Sequence, residues 1–160
     1  MRNRLTVLCI FALSIAMAGV AGAQSSPAAP AAGPSPIATA DGEAPGTQLQ
    51  VTKLKRSGDS VMLQFALINN SDSAYDPNNL QSSNYRSVDG VYLVDMTGKK
   101  KYEVVRDSTG AGVCSQNVAA IPSKSSANYW AKFPAPPDSV QKVGVVVPHF
   151  IPMDDVPLSQ

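Results

Sequence analysis

Val61, Leu63, Phe65 and Leu67 alternate along the chain with Met62, Gln64, Ala66 and Ile68. A repeat of two sets one strongly apolar face against a more mixed one, as a half-buried strand does and a helix does not. Just before it, Leu49, Val51 and Leu54 predict a strand whose facing changes after Val51, the signature of a bulge or bend. Arg56-Ser57-Gly58-Asp59 supplies the turn that joins the two.

The same reading extends to residue 147. Residues 70–84 are rich in Asn, Asp and Ser and predict a long loop. Residues 90–96 predict a strand, Thr97-Gly98 a turn and residues 101–106 its hairpin partner. A second loop at 107–112 leads to a weaker strand at 114–120, closed by Pro122 and Ser123. Ala127, Tyr129, Ala131 and Phe133 then alternate with Asn128, Trp130 and Lys132 until Pro134-Ala135-Pro136-Pro137, where proline cannot donate to a ladder. The last predicted strand, 140–147, is β-branched and nearly continuous, as expected where both faces are covered. Seven short strands without a helical segment predict an all-β, antiparallel β-sandwich.

The chain ahead of these strands has a different character. Arg2 and Arg4 precede an uncharged, largely apolar run over residues 5–20, and Ala21-Gly22-Ala23 provides the small residues of a cleavage site, so residues 1–23 read as a signal peptide. The run is shorter than the about 20 residues of a spanning helix, and no comparable run follows. The expected product is periplasmic or secreted, without stable membrane insertion after cleavage. Cys9 lacks the context of a lipid-attachment site and would leave with the signal. Residues 24–46 carry Pro27, Pro30, Pro34, Pro36 and Pro45 among Ala, Gly and Ser, and predict a disordered tether. The folded domain is then expected over residues 47–160.

After cleavage the chain holds 11 basic and 12 acidic residues, moving the formal charge from +1 to −1. Nothing in that balance predicts nucleic-acid binding. Lys99-Lys100-Lys101 reads as a solvated hairpin end.

Gly90-Val91-Tyr92-Leu93-Val94-Asp95, Gly98-Lys99-Lys100-Lys101-Tyr102, Arg106-Asp107 and Trp130-Ala131-Lys132-Phe133-Pro134-Ala135-Pro136-Pro137 together resemble the small immunoglobulin-like modules of exported bacterial proteins. Such modules occur alone and beside OmpA-like envelope domains, and related sandwiches include secreted antigens of telokin-like fold. The resemblance covers about residues 47–158 and implies architecture and compartment, with no catalytic motif to transfer. It also implies a second cysteine two positions before Cys114, where this chain has Gly112, and so a lost local disulfide. The antibody-type disulfide is excluded, because the processed chain keeps Cys114 alone.

Two residues are candidate interaction or thiol sites. Cys114 is expected to be buried, leaving a monomer, with a covalent dimer as the alternative. Trp130 is expected to enter the core through a bend before Pro134; otherwise it is an exposed anchor for a partner. The remaining chemistry is sparse. His149 alone cannot make a His-rich metal site, Met62, Met96 and Met153 are scattered, and no Gly-x-Ser-x-Gly elbow is present. Asp72, Asp76, Asn78 and Asn79 read as turn formers, Asp154 and Asp155 as solvated charges, and Asn69-Asn70-Ser71 as a chance glycosylation triplet. The expectation is a non-enzymatic module without catalytic residues, cofactor or metal, whose partner is an unknown protein or cell-envelope component. A periplasmic small-ligand or metal-binding carrier is the alternative.

The exported form is therefore expected to begin at or near Gln24 and to remain in solution without detergent. Intact-mass measurement of exported material checks this, and recovery of residues 1–23 in a membrane fraction contradicts it.

Overall fold

The alternation at Val61 to Ile68 becomes the centre of a sheet. A computed structural model describes residues 35–80 and 86–160; the signal segment, Cys9 and residues 24–34 of the expected tether lie outside them. Eight strands run in the order β1 (Ala38–Asp41), β2 (Thr47–Ser57), β3 (Ser60–Asn69), β4 (Tyr92–Asp95), β5 (Lys100–Glu103), β6 (Ser125–Pro134), β7 (Lys142–Val146) and β8 (Met153–Pro157). They form two four-stranded antiparallel sheets, β1-β2-β3-β6 and β5-β4-β7-β8, with no α-helix among the described residues. Leu49, Val51, Leu54, Leu63, Phe65 and Phe133 of the first sheet share one core cluster with Leu93, Tyr102, Val143, Val145 and Val156 of the second, consistent with a β-sandwich.

The bulge in β2 is present. Its register against β3 shifts between Val51 and Lys53, leaving Thr52 as the extra residue, with its hydroxyl donating to the Gln64 carbonyl at 3.2 Å. Leu49 and Val51 before the bulge and Leu54 and Arg56 after it are all buried, while Lys53 and Lys55 face solvent. β3 and β6 pair without interruption, Val61 opposite Phe133 and Phe65 opposite Tyr129. The Phe65 and Tyr129 rings lie 5.7 Å apart at a tilt of 37°.

Two polar side chains fasten the connections to this core. Arg56 is buried, and its guanidinium donates to the carbonyls of Pro136, Pro137 and Val140, with Asp138 at 3.4 Å on the solvent side. The proline-rich link between β6 and β7 is thus held by a cation that its own carbonyls solvate. Asn69 is fully buried: its Nδ2 donates to the carbonyls of Ser73, Ile121 and Pro122, and its Oδ1 accepts from the Ser71 amide and hydroxyl. That burial closes Asn69 to glycosylation in the folded chain.

Four expectations need correction. The stretch assigned to a disordered tether contributes β1, whose Ala38 to Asp41 pair with Val51 to Gln48. Ala38 and Ala40 are too small to give an apolar alternation, and the strand is set by the waiting edge of β2 rather than by its own propensity. Beyond it, Gly42 bridges to Phe150 so closely that a Cβ there would lie 2.9 Å from the phenyl ring. The predicted strand at 114–120 is reduced to a bridge between Cys114 and Ala131; Asn117, at φ 55°, turns the chain away. Residues 140–147 do not contain the last strand, because β8 follows and pairs with β7. Pro152, Asp154, Asp155 and Pro157 obscure it, although all four suit an edge. Finally, β6 runs unbent to Pro134, so Trp130 points away from the core and is 39% exposed.

The chain covers both halves of the outer β2 edge. Ile37 donates its amide to the Val51 carbonyl, while Ser159 donates to Leu54 and accepts from the Arg56 amide.

Phe133→Ala is expected to cost about 3–5 kcal/mol through lost transfer energy and a residual cavity. Asn69→Ala should cost about 1–3 kcal/mol by leaving buried carbonyls unpaired. Urea unfolding checks both, and a near-neutral Phe133→Ala contradicts the face assignment of β6.

Candidate functional site on the outer sheet face

With Tyr129, Ala131 and Phe133 turned inward, the alternation of β6 sends Asn128, Trp130 and Lys132 to the outer face. Registers with β3 and β2 then define the neighbours. Trp130 lies opposite Gln64, itself opposite Lys53; the next row is Lys132, Met62 and Lys55. On the other side, Asn128, Ala66, Gln50 and Thr39 form a row. Trp130 and Lys53 are therefore separated by two strand spacings, about 9–10 Å.

The backbone beneath Trp130 is fixed on both sides. Its amide donates to the Ser115 hydroxyl at 2.9 Å, and its carbonyl accepts from the Ser115 amide at 2.8 Å. Lys132 is likewise tied, donating to Val113 and accepting from Val105. The margin of the sheet is thereby covered where the aromatic stands, and the ring projects from a rigid support.

Charge on this face is one-sided. Among the described residues, Lys53, Lys55 and Lys132 make no ion pair. The Trp130 and Lys132 rows contain no carboxylate; by register Asp41 occupies the far corner, and Asp59 lies in the β2–β3 turn. Sequence reasoning singled out Trp130 but missed Lys53, Lys55 and Lys132. The signal for the first two was in the bulge, which reverses their facing relative to Val51.

Cys114 is 3% exposed, on the inner side of the strand margin. Gly112 approaches so closely that a Cβ there would lie 2.7 Å from the Cβ of Asp89 and 3.2 Å from the Cys114 sulfur. Asp89 is buried and meets Arg106 at 3.3 Å. Burial pushes the Cys114 thiol above its ordinary pKa; the Ser87 hydrogen bond opposes this and the Asp89 charge adds to it. A protonated, enclosed thiol is a packing group rather than a nucleophile.

The other candidates are dispersed. His149 Nδ1 meets Glu43 at 2.8 Å on the surface, Asp72 pairs with Lys124 at 2.8 Å, and Asp76 accepts from the Asn78 amide. No group of three or more His, Cys, Asp or Glu side chains is placed to hold a metal among the described residues. Lys101 pairs with Glu103 at 2.8 Å and lies 4.3 Å from the Tyr92 ring centre, while Lys100 lies 5.1 Å from that of Tyr102. A groove of about 560 Å³ between the β4–β5 turn and the start of β7 is lined by Asp95, Met96, Ser139, Gln141 and Lys142 among others. Its buried carboxylate, Asp95, is engaged by the amides of Thr97 and Gly98 at 3.0 and 2.9 Å. That commits Asp95 to its own turn.

Comparison of the chain with known protein families, curated proteins and solved structures gives no match.

The raised thiol pKa has a definite pH consequence. Folding favours the protonated form, so its stabilising effect is complete below the unfolded thiol's pKa and is lost as pH rises toward and through the folded value. Native Cys114 is expected to label slowly at neutral pH and faster in alkali, with the protein monomeric without reductant. Timed thiol labelling and non-reducing electrophoresis check this; labelling within seconds at pH 7, or a dominant disulfide dimer, contradicts it.

Proposed function

We propose that this chain is an exported, non-enzymatic, immunoglobulin-like β-sandwich module that presents the Trp130 face to a protein or cell-envelope component. The observation that carries this reading is a tryptophan exposed on a rigid, regular strand face beside Lys53, Lys55 and Lys132, which make no ion pair among the described residues. With 39% of its surface open on the outer face, Trp130 has apolar area left for a partner, and aromatic anchors are enriched at the centres of recognition surfaces. The signal-like residues 1–23 support the location. The scattered ionisable groups support binding over catalysis, since chemistry requires a nucleophile, acid or base placed together.

Trp130→Ala should melt near the parent, with a cost well below the about 3–5 kcal/mol of Phe133→Ala. The same change should abolish most co-sedimentation with isolated bacterial envelopes. Equal sedimentation of parent and variant refutes the proposed face, and a Trp130→Ala cost matching that of Phe133→Ala makes the ring structural.

A further inference from the structure

The outer sheet face combines three recognition elements. Trp130 offers a partly exposed indole; Gln64, Gln50 and Asn128 offer amides beside it; Lys53, Lys55 and Lys132 flank it without carboxylate partners among the described residues. Gln50 Nε2 donates to Gln48 Oε1 at 2.9 Å, which sets one amide in place along the outer side of β2. Ala66, between Gln50 and Asn128, keeps the centre of the surface low.

We propose that this face binds an anionic polysaccharide, a chain of pyranose rings bearing carboxylates, and this rests on the assignment of the Trp130 face as the interaction surface. The apolar C–H side of a pyranose carries the partial positive charge that an indole face attracts. Ring hydroxyls both donate and accept, matching the side-chain amides, which do the same. Carboxylates along the polymer meet the lysines, which by strand geometry lie about 7 Å (Lys132), about 9–10 Å (Lys53) and, on the diagonal, about 12 Å (Lys55) from the indole position.

Other macromolecules fit less well. Single-stranded nucleic acid calls for successive stacking platforms, and among the described residues the strand registers place one aromatic ring on this face. The core of a protein interface is depleted in charged residues, whereas Lys53, Lys55 and Lys132 share the two rows that hold Trp130, with Met62 as the larger apolar neighbour. The rows of outward side chains run across three paired strands, a span that suits an extended polymer laid across them.

Trp130 is the sole tryptophan in the sequence, so its emission reports on this face alone. The test titrates the purified chain with alginate, which has a carboxylate on every ring, with pullulan, a neutral glucan, and with polyglutamate, which has carboxylates without rings. Alginate should change the emission saturably and retard the protein in an affinity gel, with much weaker effects from the other two. Lys53→Gln with Lys132→Gln should weaken alginate binding roughly three- to tenfold. Trp130→Ala should abolish retardation, and Trp130→Tyr, which keeps a stacking ring, should restore part of it. Absence of an alginate response, equal binding of polyglutamate, or equal binding of pullulan overturns the proposal. Envelope co-sedimentation that depends on Trp130 while alginate fails would reject the polysaccharide and keep the face; loss of both rejects the face itself.

Discussion

One extra residue in β2 governs both sides of the first sheet. Strict alternation would put Lys53 and Lys55 on the same side as Leu49 and Val51, and two lysines would then face a core lined by Leu63 and Phe65. The register shift between Val51 and Lys53 instead brings Leu54 and Arg56 inward and turns the lysines out. A single irregularity thus completes the apolar layer, delivers the guanidinium that holds the β6–β7 link, and charges the surface on which Trp130 stands. This is the use of a bulge as a device for re-aiming side chains.

The core tolerates Arg56 and Asn69 because each reaches several backbone carbonyls. An isolated cation or amide at these depths would be costly. Here the connections are polar and proline-rich, so they have carbonyls to spare where no strand partner exists, and the two side chains absorb them. The rims of the fold are consequently fixed by side chain to backbone bonds, while the sheets are fixed by apolar contact.

Much of this was legible in the sequence, and the gaps have identifiable causes. β3, β6 and the bulge followed from alternation, since long strands with bulky apolar positions state their facing plainly. β1 and β8 were missed because an edge strand needs little apolar content and tolerates proline and charge. Trp130 was assigned inward against the parity of its own strand. Alternation from Tyr129 and Phe133 already required it to face outward, and the following prolines end the strand without bending it. Arg56 was read as part of a turn, although its position two residues beyond Leu54 marks it as inward-facing. Burial of Cys114 agreed with expectation, but the approach of Asp89 to Gly112 beside it brings in a loop distant in sequence and has no local signature.

The pairing of Ile37 and Ser159 with adjacent stretches of the β2 edge has a topological consequence. Chain entering before Ile37 and chain leaving after Ser159 pass through one small region, on the margin of the first sheet opposite β6. The fold is therefore nearly a closed loop in space. A short joint between these two points, with new ends cut in an exposed turn such as that at Gly58, would retain every strand neighbour described here. By the same geometry the unit can be spliced into a surface loop of a host protein as a side branch, leaving the aromatic margin facing outward.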